Sequence, residues 1–172
     1  MPNVQILPSH LRESRARVSL LFVCLGNICR SPLAALIVAE RARAMGRLAQ
    51  FEIESAGTGD WHAGEPADPR SVQIAGVHGM DLRPHRARQV IAADFERFDL
   101  LVAMDKSNAR NLLALGAQAD RVRLMRAFDP TFEPDHAPDV PDPYYGGTEG
   151  FARVFEMLDT AAHGLLRSLP EG

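Results

Sequence analysis

Between Val18 and Pro32 the chain passes from strand to helix through a loop that carries a cysteine and an arginine six positions apart. Val18 to Val23 is a short run, apolar except for Ser19, of the kind that fills a buried strand. Ser31 is a good N-cap and Pro32 a good first helical residue, because proline's missing N–H is one that a helix start cannot use. The pattern predicts a helix over 32–45. Backbone N–H groups of the intervening loop, added to the unsatisfied donors and positive dipole end of that helix, converge on one place. Anions collect at such a place.

Cys24 begins the loop, so its sulfur lies at the positive focus, and such surroundings favour a thiolate. Arg30 can fork two N–H bonds onto two oxygens of a phosphate, a geometry lysine cannot match. Gly26 leaves room for backbone to approach a ligand, and Asn27 tolerates the positive φ of a tight loop. The spacing alone decides little: Lys106 is the only lysine among 19 basic residues, so arginines are common at any offset from a cysteine. Alone, Cys24 would read as a small buried hydrophobe ending a strand. Strand, thiol, glycine, asparagine, arginine, serine and proline in one run outweigh that reading.

Strands and helices alternate along the chain, the pattern of a parallel sheet covered on both faces. Strands are expected at 51–55, at 99–104 and within 121–128. Helices are expected at 69–78, behind the N-cap Asp68 and Pro69, and at 105–115. Apolar residues Phe151, Val154, Phe155, Leu158, Ala162, Leu165, Leu166 and Leu169 form the stripe of a final helix. Residues 1–17 show neither period and read as a loose extension. Ligands of open α/β sheets bind beyond the carboxyl ends of the strands. Cys24, Ser55 and Asp105 all fall on that rim.

Four segments, in this order, resemble the low-molecular-weight protein tyrosine phosphatases of bacterial type: Cys24-Leu25-Gly26-Asn27-Ile28-Cys29-Arg30-Ser31-Pro32, Ser55-Ala56-Gly57-Thr58, Met104-Asp105-Lys106-Ser107-Asn108 and Asp142-Pro143-Tyr144-Tyr145. The resemblance covers residues 18–169 and implies one catalytic domain over 18–172. Its fold would be α/β and flavodoxin/Rossmann-like, a four-stranded parallel sheet of order 2-1-3-4 with helices on both faces. It implies hydrolysis of phosphotyrosine through a phosphocysteine on Cys24, without metal or cofactor. Leu25, Gly26, Asn27, Ile28, Cys29 and Arg30 would bind the phosphate.

A phenolate leaving group needs a proton, worth about 10² to 10⁴ in rate. Asp142 sits between two prolines on a stiff loop. As residues alone, Asp142 and Asp129, each followed by proline, are equal contenders and each reads as an ordinary turn aspartate; the family motif implies Asp142 as the general acid and later base. The resemblance further implies that Asn27, Ser55 and His85 hold the loop in shape and that Asp105 braces Arg30. Ser31 is placed to donate to the Cys24 sulfur. Trp61, Tyr144 and Tyr145 would wall the substrate cleft, stacking on a phenyl ring. Cys29 is either a redox partner for Cys24 or a small residue turned into the core.

The formal net charge of −3 argues against a nucleic-acid or anionic-membrane partner. No apolar run is as long as a membrane span, and residues 1–17 lack the apolar stretch of a signal peptide. The expectation is a cytoplasmic monomer, export without a signal peptide staying open. Two cysteines in one loop form neither a disulfide framework nor a zinc site. Gly26 to Ser31 contains no Gly-Lys pair, which excludes a nucleotide-binding P-loop. An arsenate reductase of the same fold would need relay cysteines beyond Cys29, and a phosphotyrosine-binding module would have lost Cys24 or the acid. Related enzymes act on tyrosine kinases of polysaccharide export or on host proteins after secretion, so the implied partner is a phosphotyrosine protein, with a bacterial tyrosine kinase one candidate.

Overall fold

The computed structural model describes residues 4–172. Four strands, β1 (Val18–Cys24), β2 (Phe51–Gly57), β3 (Leu100–Ala103) and β4 (Val122–Leu124), form one sheet of order β2-β1-β3-β4. Every pairing is parallel. β1 is buried along its whole length. Its side chains alternate between faces, as the pleat requires. Leu20 and Phe22 join one apolar core with α1 (Arg30–Ala44), α2 (Pro69–Val77) and α5 (Thr148–Ser168). Leu21 and Val23 join a second core on the opposite face, with α3 (Asp94–Arg97) and α4 (Lys106–Ala114).

The chain leaves β1 for β2 on one side and returns to β3 on the other, so the strand order reverses at the β1/β3 boundary. A crevice opens there at the carboxyl ends of the strands. Cys24 ends β1 in register with Gly57 of β2, and Asp105 lies two residues beyond β3. Asp68 caps α2 through a bond from the Arg70 N–H, and Asp105 caps α4 through one from Asn108.

Two expectations need correction. The first helix starts at Arg30, not Pro32, and its N-cap position is Cys29, with no side-chain cap. Ser31 lies inside the helix because its hydroxyl is taken up by Cys24 and Asn27 instead. The segment before β1 is also not loose over its described part, which excludes residues 1–3. It carries 3₁₀ turns at Val4–Ile6 and Ser9–Leu11 and buries Ile6, Leu7 and Leu11 in the core. Arg123 Nε donates to the Ile6 carbonyl at 2.6 Å. Turns of three residues are too short to show a period in the sequence, which is why the segment reads there as irregular.

Candidate active site

The loop after β1 wraps around the Cys24 sulfur, which is almost fully buried. Asn27 at φ 57° is the only non-glycine residue with positive φ among those described, and it turns the loop back on itself. Among the described residues, no acceptor takes the N–H groups of Leu25, Gly26, Asn27, Ile28 or Cys29. All but Leu25 are buried or half-buried residues, and donors left open in this way need an acceptor, which an anion with several oxygens supplies.

Hydrogen bonds from outside fix the loop's shape. Asn27 Nδ2 donates to Ser31 Oγ at 2.9 Å and to Ser55 Oγ at 3.0 Å, and Asn27 Oδ1 accepts from the Arg88 N–H at 3.0 Å. His85 Nε2 lies 2.7 Å from the Asn27 carbonyl, so that nitrogen carries the proton. Burial pushes the His85 imidazole below its ordinary value, and the Arg86 charge adds to this against the bond to Asn27. Since Asn27 donates to Ser31 Oγ, the hydroxyl proton of Ser31 has two acceptors in reach, Cys24 Sγ at 2.9 Å and the Ala56 carbonyl at 3.4 Å, of which the sulfur is the nearer.

Arg30 is buried beside that sulfur. Its Nη1 donates to Asp105 Oδ2 at 2.7 Å and to the Val140 carbonyl at 2.9 Å, which fixes one edge of the guanidinium. Nη2 lies 3.8 Å from Asp142 Oδ2. Burial alone would weaken the Arg30 charge; Cys24, Asp105 and Asp142 outweigh it, and the group is held more firmly protonated than usual. Cys29 is buried too, and burial followed by the Asp68 carboxylate and the Cys24 charge pushes its thiol well up.

The cleft above the loop measures about 350 Å³ and is lined by Cys24, Arg30, Trp61, His62, Asp142, Tyr144 and Tyr145 among others. Tyr145 is 93% exposed and Trp61 68%, so both rings stand at the mouth rather than in a core. The Trp61 ring lies on Gly59, where an added Cβ would come within 1.8 Å of it. Asp142 Oδ1 accepts from the Tyr144 N–H at 3.0 Å. Asp129 lies elsewhere: it accepts from the Thr131 N–H and lines a different pocket with Phe132 and Gly164, outside this cleft.

Residues 19–172 match the family model of the low molecular weight phosphotyrosine protein phosphatases. The chain belongs to this family. The phosphatase is 45% identical to a low molecular weight protein-tyrosine-phosphatase of Streptomyces coelicolor over 153 residues, 87% of this chain and 92% of that one. It is 46% identical over 144 residues to low molecular weight protein-tyrosine phosphatase A of Mycobacterium tuberculosis, 84% of this chain and 86% of the other. A crystal structure of the protein tyrosine phosphatase from Entamoeba histolytica, with Hepes in its active site, superposes with a TM-score of 0.81 at 36% identity. That match covers 87% of this chain and 95% of the other.

The fold thus brings Cys24, Asn27, Arg30, Ser31, Ser55, His85, Asp105, Trp61, Asp142, Tyr144 and Tyr145 to one rim. Two contributors escape a sequence reading. His62 lines the cleft and bonds Glu65 at 2.7 Å; its place next to Trp61 was the available signal. Arg70, described below, carries no sequence signal beyond following Asp68-Pro69. No helix among the described residues is long and apolar enough to cross a membrane.

Proposed function

We propose that the phosphatase hydrolyses phosphotyrosine by two in-line displacements at Cys24, with Asp142 as acid and then base. The observation that carries this is the convergence on one buried sulfur of unpaired loop N–H groups and a guanidinium whose far edge is already fixed. Those donors take the equatorial oxygens of the phosphoryl group and strengthen as charge spreads onto them in the transition state. They supply the charge that a metal would otherwise bring, so no metal or cofactor enters the scheme.

Cys24 Sγ attacks phosphorus as the thiolate while Asp142 gives its proton to the departing phenolic oxygen. Tyrosine is thereby released and phosphate is held on sulfur. A water then attacks the phosphocysteine, Asp142 takes its proton, and the S–P bond breaks to give phosphate and the thiolate. The Ser31 hydroxyl donates to the sulfur in both states and eases its departure in the second. Trp61, Tyr144 and Tyr145, which line the cleft beside Cys24, flank the phenyl ring of the substrate. Residues 18–172 form the catalytic unit in this account, a cytoplasmic monomer acting on a phosphotyrosine protein, with a bacterial tyrosine kinase among the candidates.

The test is an aryl phosphate series run in EDTA. Turnover should persist, Cys24→Ser should abolish it, and Asp142→Ala should lose about 10² to 10⁴ in kcat/KM on phenyl phosphate but far less on dinitrophenyl phosphate, whose leaving group needs no proton. Loss of activity in EDTA with rescue by Zn²⁺, or equal losses for Asp142→Ala on both substrates, would count against the scheme.

A further inference from the structure

The acid loop and the phosphate loop are more than a hundred residues apart in sequence, and Arg70, from neither, is linked to both, directly to the first and through Asp68 to the second. Arg70 Nε donates to Asp68 Oδ1 at 3.0 Å and Nη2 to Asp68 Oδ2 at 2.9 Å, a bidentate pair with a carboxylate that is only 7% exposed. The N–H of Asp68 donates in turn to the Ile28 carbonyl at 2.8 Å, and Ser71 Oγ to the Cys29 carbonyl at 3.3 Å. This end of the link is thus anchored on the phosphate loop.

At its other end the same guanidinium reaches the acid loop. Nη2 donates to the Tyr144 carbonyl at 2.9 Å and Nη1 to the Gly146 carbonyl at 3.0 Å. The guanidinium also lies over the rings of Phe151, at 4.5 Å, and Tyr144, at 5.6 Å. Tyr144 then passes the constraint on, because its own N–H donates to Asp142 Oδ1 at 3.0 Å. One residue's carbonyl is held by Arg70 and its N–H holds the carboxyl group. Only a planar fork with donors on three nitrogens can satisfy a carboxylate on one edge and two carbonyls on the other.

We propose that Arg70 is a positioning residue for the general acid, fixing the Tyr144 peptide and through it the Asp142 carboxyl over the phosphate loop. The proposal rests on Asp142 being the acid. A carboxyl group displaced by about 1 Å from the leaving oxygen loses on the order of 10²-fold in rate. The loss falls on protonation of the leaving group and not on phosphate binding, since Arg30 is held by Asp105 and the Val140 carbonyl and the turn of the loop by the Asn27 side chain.

The experiment compares Arg70→Met, Arg70→Lys and Asp142→Ala on dinitrophenyl, p-nitrophenyl and phenyl phosphate, with the inhibition constant of inorganic phosphate measured for each. Arg70→Met should lose about 10- to 100-fold in kcat/KM on phenyl phosphate and less than about threefold on dinitrophenyl phosphate, with phosphate inhibition unchanged. Arg70→Lys keeps the charge and the stem but not the fork. It should show the same steepened leaving-group dependence, and it carries the test if the methionine variant does not fold. Uniform losses on all three substrates, weakened phosphate inhibition in parallel with kcat/KM, or a wild-type leaving-group dependence would overturn the proposal. Asp142→Ala separates the two levels: a steep dependence there with a flat one in the Arg70 variants removes only the clamp, whereas a flat Asp142→Ala series removes the acid assignment and the clamp with it.

Discussion

Asp105 holds Arg30 and caps a helix with the same carboxylate: Oδ2 accepts from Arg30 Nη1 at 2.7 Å while Oδ1 accepts from the Asn108 N–H at 2.7 Å. The Arg30 guanidinium is thereby tied to the start of α4. Asparagine is also a good cap, so Asp105→Asn keeps the second role and impairs the first. It should lower kcat/KM by about 10- to 100-fold. Arg30 retains the Cys24 and Asp142 charges nearby, so stability should fall by less than the roughly 3–5 kcal/mol of an isolated buried pair that loses one partner. Asp105→Ala should lose about 1 kcal/mol more through the missing cap. Steady-state kinetics and urea denaturation check both; Asp105→Asn at the wild-type rate would contradict the brace.

His85 gives the loop a pH dependence whose sign follows from its burial. Its folded value is depressed, so on acidification the unfolded chain takes up the proton first. The stabilising contribution is complete above the ordinary histidine value of about 6.5 and is lost as pH falls through the folded value. His85→Gln keeps a donor toward the Asn27 carbonyl without titrating. The difference in stability between wild type and His85→Gln should therefore shift against wild type below about pH 6.5 and stay level above it. A difference that is level across the whole range would show that His85 is not held neutral.

Peroxide should oxidise Cys24 first, as the sulfur at the loop's positive focus. Cys29 lines the same cleft but is held as a thiol by burial, so its capture of the Cys24 sulfenic acid requires it to lose a proton. Reversible inactivation through a Cys24 to Cys29 disulfide should therefore become more efficient as pH rises, and Cys29→Ser should recover less activity after reductant. Mass spectrometry decides the point: Cys24 found as sulfinic or sulfonic acid with Cys29 still a free thiol would leave Cys29 a loop residue only.

What was legible in the sequence is what is local in the chain. Cys24, Arg30 and the glycine and asparagine between them lie in one run, and the two caps Asp68 and Asp105 sit next to the helices they start. The start of α1 was misplaced because a serine before a proline has a local use as a cap and a non-local one toward Cys24 and Asn27, and the second prevailed. α3, with four residues, is too short to show a period. Arg70 was invisible for a different reason, since its carbonyl partners lie 74 and 76 positions away.

The most direct test of the central claim is to quench the phosphatase during turnover of dinitrophenyl phosphate and map the phosphate by mass spectrometry. Asp142→Ala serves as the accumulating variant, because the dinitrophenolate leaves without an acid while the base that activates water for the second step is missing. The account predicts phosphate on the Cys24 sulfur, formed with release of one equivalent of dinitrophenolate, and neither phosphoenzyme nor turnover in Cys24→Ser. Phosphate on another residue, or steady turnover in Cys24→Ser, would contradict it.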